Sequence, residues 1–171
     1  IGRLSATDDD AKEKHTFRLV PPTGEGEPND NALFSISGYN LRTNAVLDFD
    51  ATPQLSVLVE VTDRAKLTYT QVLTINVTDA NDAPTGLTID PVTIAENQAK
   101  GTEIGTLTAI DPDTGDTHTY SVVGGKDKKL FAVEDNRLVT KAILDFELKA
   151  KLDLVIRVTD KGNSSVNVPF T

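Results

Sequence analysis

The sequence has no cysteine, no methionine and no tryptophan. Without cysteine there are no disulfide staples, no thiolate metal sites and no cysteine nucleophile. Aromatic residues make up 5% of the chain, which leaves few rings for stacking on sugars. Positive charge is scarce too: 17 basic side chains stand against 26 acidic ones, for a net charge of −9. Such a surface repels phosphate backbones and argues against nucleic acid as a partner. No apolar run approaches the roughly 18 residues of a spanning helix, so no direct membrane insertion of this stretch is expected. The opening Ile1-Gly2-Arg3-Leu4 lacks the apolar core and small-residue cleavage site of a signal peptide. With no methionine to start it, the chain is expected to be a piece of a longer polypeptide. The histidines, His15 and His118, sit at matched positions beside an aromatic residue, which predicts a repeated packing or turn role. Catalysis would have to rest on paired carboxylates or a Ser/His pair, and nothing singles one out, so an enzyme is not expected. Gly24, Gly26 and the Gly124-Gly125 pair lack the strand-to-helix setting of a phosphate-binding loop.

What is present is a repeat. Ile1-Gly2-Arg3-Leu4-Ser5-Ala6-Thr7-Asp8-Asp9-Asp10 recurs as Ile104-Gly105-Thr106-Leu107-Thr108-Ala109-Ile110-Asp111-Pro112-Asp113, an offset of 103 from position 1 to position 104. His15-Thr16-Phe17 and His118-Thr119-Tyr120 keep that offset. From Leu33-Phe34 and Leu130-Phe131 onward the offset is 97, so the first copy carries six extra residues within the loop Pro21 to Asn31. Leu47-Asp48-Phe49-Asp50 then matches Leu144-Asp145-Phe146-Glu147, and Val61-Thr62-Asp63 matches Val158-Thr159-Asp160. The 171 residues read as two copies of one small domain, 1–82 and 83–171.

Each copy is patterned for strands. Leu55, Val57, Val59 and Val61 alternate with Ser56, Glu60 and Thr62, and Leu152, Leu154, Ile156 and Val158 repeat the pattern. Leu73, Ile75 and Val77 continue it. Leu58 and its counterpart Val155 are apolar on the opposite face, which predicts a covered mid-strand site. Clusters of Gly, Pro, Asn and Asp punctuate these segments at intervals typical of an antiparallel sandwich. Pro91 to Gln98 predicts a first strand and turn for the second copy. The first copy begins at the position of Ile104 and is expected to lack that strand. Pro84 suits an extended linker near Asp82 to Pro84.

The carboxylates gather at predicted turns and strand ends: Asp8 and Asp10, Asp48 and Asp50, Asp63, Asp79 and Asp82 with Asn81, then Asp111 and Asp113, Asp145 and Glu147, Asp160. Like charges held together raise the free energy unless a cation bridges them. No Lys or Arg stands in these motifs, and an all-oxygen ligand set without His or Cys points to Ca²⁺, which takes roughly 6–8 oxygens. Asp111 to Val122 is not an EF-hand loop, because its sixth position is Asp116 rather than Gly and its twelfth is Val122 rather than Glu.

These motifs carry a family resemblance. Glu96-Asn97, Ala109-Ile110-Asp111-Pro112-Asp113, Leu144-Asp145-Phe146-Glu147, Val158-Thr159-Asp160 and Asp79-Ala80-Asn81-Asp82-Ala83-Pro84 resemble, in order, the serial motifs of cadherin repeats. The spacer His118-Thr119-Tyr120-Ser121-Val122 is more similar to cadherin-like repeats of large bacterial surface proteins than to junction cadherins. The resemblance implies an all-β fold of two tandem seven-stranded Greek-key, immunoglobulin-like sandwiches, the first without its first strand. It implies two to three Ca²⁺ ions at the inter-repeat junction, held by Asp48, Asp50, Asp79, Asn81, Asp82, Asp111, Asp113 and Asp160. Asp8, Asp10 and Asp63 are then half of a preceding junction, and Glu96, Asp145 and Glu147 half of a following one, both expected to bind weakly or stay empty. Phe49 and Phe146 replace the arginine of the family's L-D-R-E motif. The implied role is a calcium-rigidified adhesion or structural module outside the cell, partnered by neighbouring repeats. A homophilic or glycan partner, or service as a spacer in a secreted enzyme, are the alternatives.

Overall fold

The computed structural model describes residues 1–10, 14–22, 24 and 30–171. Part of the loop carrying the six extra residues, including Gly26, therefore lies outside the described residues. The chain divides into two compact units, Ile1–Ala80 and Asn81–Thr171.

In the first unit the strands are β1 (Gly2–Arg3), β2 (Thr16–Leu19), β3 (Phe34–Ser37), β4 (Asn40–Thr43), β5 (Gln54–Thr62) and β6 (Thr68–Asn76). They form two antiparallel sheets, β1-β4-β3 and β2-β5-β6. The alternation along β5 lands as the period of two requires, with Leu55, Val57 and Val59 buried against Phe34, Leu41 and Ile75. Leu58, on the other face, is also buried. Its carbonyl accepts the Val20 amide at 3.0 Å, and its amide donates to Asn31 Oδ1 at 3.0 Å. Val20 and Asn31 thus lie alongside β5 on its β2 side, in line with the β2–β5 ladder.

The second unit has seven strands: β7 (Gly86–Asp90), β8 (Glu103–Ile110), β9 (Thr119–Gly124), β10 (Phe131–Glu134), β11 (Arg137–Thr140), β12 (Leu154–Thr159) and β13 (Ser165–Phe170). They form the sheets β10-β11-β8-β7 and β13-β12-β9. Successive strands β8, β9, β10 and β11, β12 change sheet, which is the Greek-key pattern of an immunoglobulin-like sandwich. Leu87, Ile104, Leu107, Phe131, Leu138, Leu154, Ile156 and Val158 fill the space between the sheets. A 3₁₀ turn stands at the matched position in each unit, Asn31–Leu33 before β3 and Lys128–Leu130 before β10.

The first strand of the second unit corrects the sequence reading. It is Gly86–Asp90, not Pro91 to Gln98. The β7–β8 ladder runs from Gly86↔Ile110 to Asp90↔Thr106 and stops where Pro91 brings no N–H. The Pro91 carbonyl then lies over Gly105, where a Cβ would collide with it. No counterpart of β7 occurs in the first unit among the described residues.

Candidate metal centre

At the end of the second unit where β8 and β12 finish, five of the anticipated residues come together. Asp111 and Asp113 follow β8, and Asp160 follows β12. Asp111 Oδ1 accepts the Asp113 amide at 3.0 Å, closing the turn that aims both carboxylates. Asp160 is 5% exposed, and its Oδ1 accepts the Ser164 amide at 2.8 Å. Its Oδ2 accepts Asn81 Nδ2 at 3.0 Å, and the Asp82 amide donates to Asp113 Oδ2 at 2.9 Å. Two bonds therefore tie Asn81 and Asp82 to the same strand ends. Asn81 also rests on the bare backbone of Gly162, where a Cβ would strike its side chain.

One atom here is unsatisfied. Asp113 Oδ1 is buried and has no hydrogen-bond partner. Leaving a buried carboxylate oxygen unpaired is unfavourable by an amount comparable to a lost hydrogen bond or more. A hard cation removes that penalty, and the donors at hand (four carboxylates and an amide) are the oxygen set that suits Ca²⁺. The residues fit the ion.

His118 is the feature whose neighbour the sequence did not identify. Its Nε2 lies 2.7 Å from Asp111 Oδ2, with the Asp111 carboxylate almost covered. Burial pushes the Asp111 carboxyl up, but the His118 bond, the Asp113 amide and the His118 charge together bring it below the ordinary carboxylate value. Asp116 belongs to the same cluster, its ligand atom within 4.8 Å of those of Asp111 and His118. The seven-residue spacing from Asp8 to His15 and from Asp111 to His118 was the available signal. In the first unit that pair is His15 Nε2 and Asp8 Oδ2, at 3.1 Å.

The other candidates are placed as follows. Asp8 Oδ1 accepts the Asp10 amide at 3.0 Å, and Asp63 Oδ1 accepts the Leu67 amide at 2.8 Å, the same turns as in the second unit. Asp48 Oδ1 accepts the Ala51 amide at 3.0 Å in the turn that also holds Asp50. Asp79 is exposed beyond β6. Glu96, Asp145 and Glu147 meet near the start of β12, with ligand atoms within 4.8 Å of one another. Glu96 Oε2 accepts the Phe146 amide at 2.9 Å, which joins the two motifs.

Residues 90–169 match the family model of the cadherin domain. The chain is 32% identical over 178 residues to cadherin EGF LAG seven-pass G-type receptor fmi-1 of Caenorhabditis elegans, covering 100% of this chain and 7% of that protein. It is 33% identical over 138 residues to human protocadherin gamma-C5, covering 73% of this chain and 15% of that protein. The chain thus spans a small part of the curated relatives it matches. Among solved structures, Drosophila N-cadherin EC1-4 aligns with a TM-score of 0.68 at 21% identity, covering 97% of this chain and 42% of that one. Human protocadherin-24 EC1-2 aligns at 0.67 and 20%, covering 99% and 84%. At those identities the two structures establish the fold. Among the described residues no helix is long and apolar enough to cross a membrane.

Proposed function

We propose, from the match of residues 90–169 to the cadherin-domain model and the likeness of the whole chain to a stretch of a cadherin, that the chain is a calcium-binding adhesion module of a larger cell-surface protein. The observation that carries the calcium reading is the buried, unpartnered Asp113 Oδ1, in a carboxylate bonded to the Asp82 amide and following Asp111 in its turn, with Asp160 tied to the adjoining Asn81. Asn81, Asp82, Asp111, Asp113 and Asp160 are the second unit's ligands. When bound, Ca²⁺ supplies positive charge and coordination to oxygens the protein leaves short of donors. The chain's own part is to hold those oxygens ready: the Asp111–Asp113 turn, the Ser164 amide on Asp160 and the Asn81–Asp160 bond fix them before any ion arrives.

The rest of the proposal stands on the sequence motifs alone. It gives Asp48, Asp50 and Asp79 the remaining places in a set of two to three ions that stiffens the link between the repeats 1–82 and 83–171. Asp8, Asp10 and Asp63, and Glu96, Asp145 and Glu147, are the halves that neighbouring repeats complete. The chain is read as extracellular and without catalysis of its own, and the spacer around His118 to Val122 is the basis for a bacterial surface protein as parent.

The test is thermal unfolding in excess EDTA and again in millimolar Ca²⁺. Each independent site is expected to add about 2.7 kcal/mol at a hundredfold its dissociation constant. Mg²⁺ should not reproduce the rise, and Asp113→Ala should remove most of it. An unchanged melting temperature on adding Ca²⁺ would sink the calcium reading and leave the carboxylates as turn residues.

A further inference from the structure

The chain has two histidines, and the structure uses both in one way. His118 Nε2 lies 2.7 Å from Asp111 Oδ2, and His15 Nε2 lies 3.1 Å from Asp8 Oδ2. In each case the other oxygen of the carboxylate accepts the backbone amide two residues on, from Asp113 at 3.0 Å and from Asp10 at 3.0 Å. The sequence between aspartate and histidine is otherwise different in the two copies. Asp8-Asp9-Asp10-Ala11-Lys12-Glu13-Lys14-His15 and Asp111-Pro112-Asp113-Thr114-Gly115-Asp116-Thr117-His118 share the two aspartates and the histidine, and nothing else. What is repeated is the contact, not the loop that makes it.

The bond has a direction. An ionised aspartate can only accept, so Nε2 of His118 carries the hydrogen and donates it to Asp111. A nitrogen that donates has no lone pair for a metal, which leaves calcium its all-oxygen set. His118 is itself held in place. β9 begins at Thr119, which pairs with Thr159 of β12, so His118 leaves the same end of that ladder as Asp160. His15 stands likewise beside the Thr16↔Thr62 pair, next to Asp63. A donor fixed by the sheet and an amide fixed by the turn thus grip the Asp111 carboxylate at both oxygens, and each oxygen keeps a lone pair free for an ion.

Building on the calcium reading above, we infer that His118 is a positioning residue of that site, acting on the ion through Asp111. It sets the plane of the carboxylate before calcium arrives, so that binding need not order it. Partners that orient a metal's ligands in this way change affinity by about 10–100-fold when they are lost. Imidazole suits the task, because its N–H is directional and needs no permanent charge. Lysine or arginine at position 118 would set a fixed cation beside the ion.

The experiment is calcium titration calorimetry of the full chain, with metal-free melting temperatures taken alongside. His118→Leu is expected to bind the ion about tenfold or more weakly than wild type. His118→Gln, whose side-chain amide is a neutral donor, should recover most of that loss. A side chain that merely packed would give the opposite order, leucine keeping the affinity and glutamine losing it. His15→Leu makes the same change at the matched position and should leave this affinity unaltered, because Asp8 is not among the five candidate ligands. Wild type supplies a measurement that needs no variant. Two-bond nitrogen–proton correlation spectra above about pH 8, where an ordinary imidazole is neutral, should place the His118 hydrogen on Nε2. The ring signals of His118 should also move at lower calcium than those of His15. A His118→Leu affinity equal to wild type, an equal loss in His15→Leu, or a hydrogen on Nδ1 overturns the inference and leaves the proposed function standing. A wild type that binds no calcium overturns the proposed function, and this inference falls with it.

Discussion

Gly162 shows how a single missing side chain can position a candidate ligand. Asn81 lies against its backbone and from there donates to Asp160. Gly162→Ala should displace Asn81, because the amide end of that side chain can swing away more easily than the backbone can move. The expected outcome is a calcium affinity about tenfold or more weaker by titration calorimetry, with the metal-free melting point little changed. Asp127 illustrates a different duty for a carboxylate. Its Oδ2 accepts the Asp153 amide at 2.7 Å, and its Oδ1 receives Lys149 Nζ at 2.6 Å. The Lys149 bond first, then the Asp153 amide, hold this carboxyl below its ordinary value, against a small opposing effect of burial. A carboxyl lowered in the folded state contributes stability that is whole above its unfolded value of about 3.9 and fades as pH falls through the lower folded value. Asp127→Asn should therefore be less stable than wild type at pH 7, and urea midpoints of the two should converge below about pH 4. Asp30 repeats the backbone half of this arrangement with the Ser56 amide at 2.7 Å, but Thr52 stands where the second unit has Lys149.

Strands with one buried face were legible in advance because alternation is a property of the pleat itself. Leu55, Val57 and Val59 of β5, and Leu154, Ile156 and Val158 of β12, fell inward as their spacing required. Truncating Ile156, which is fully buried, to alanine should cost about 2–5 kcal/mol by chemical denaturation. The position of β7 was not legible. Gly86–Asp90 has only Leu87 and Ile89 to mark it, while Val92 and Ile94 mark the next segment equally well, and the choice is made by contact with β8. Gly105 makes that contact possible. Gly105→Ala should destabilise the second unit by about 1–3 kcal/mol, since the new Cβ meets the Pro91 carbonyl and cannot relax cheaply. Gly2, its equivalent in the first unit, has nothing within 4 Å, and Gly2→Ala should be near neutral. The carboxylate turns were legible as motifs because Asp-x-Asp is local, closing within two residues. The pairing of His118 with Asp111 was not, because it depends on how β9 leaves its loop.

The molecule as a whole is two cores in one chain, each built from its own residues. Asn81–Thr171 contains all seven strands of a sandwich and the five clustered candidate ligands, so that fragment should melt cooperatively by circular dichroism; a fragment without a transition would mean that the second core needs the first. Because each core closes on its own residues, loss of one leaves the apolar interior of the other covered, so damage to a single repeat should stay confined to that repeat and not spread along the chain.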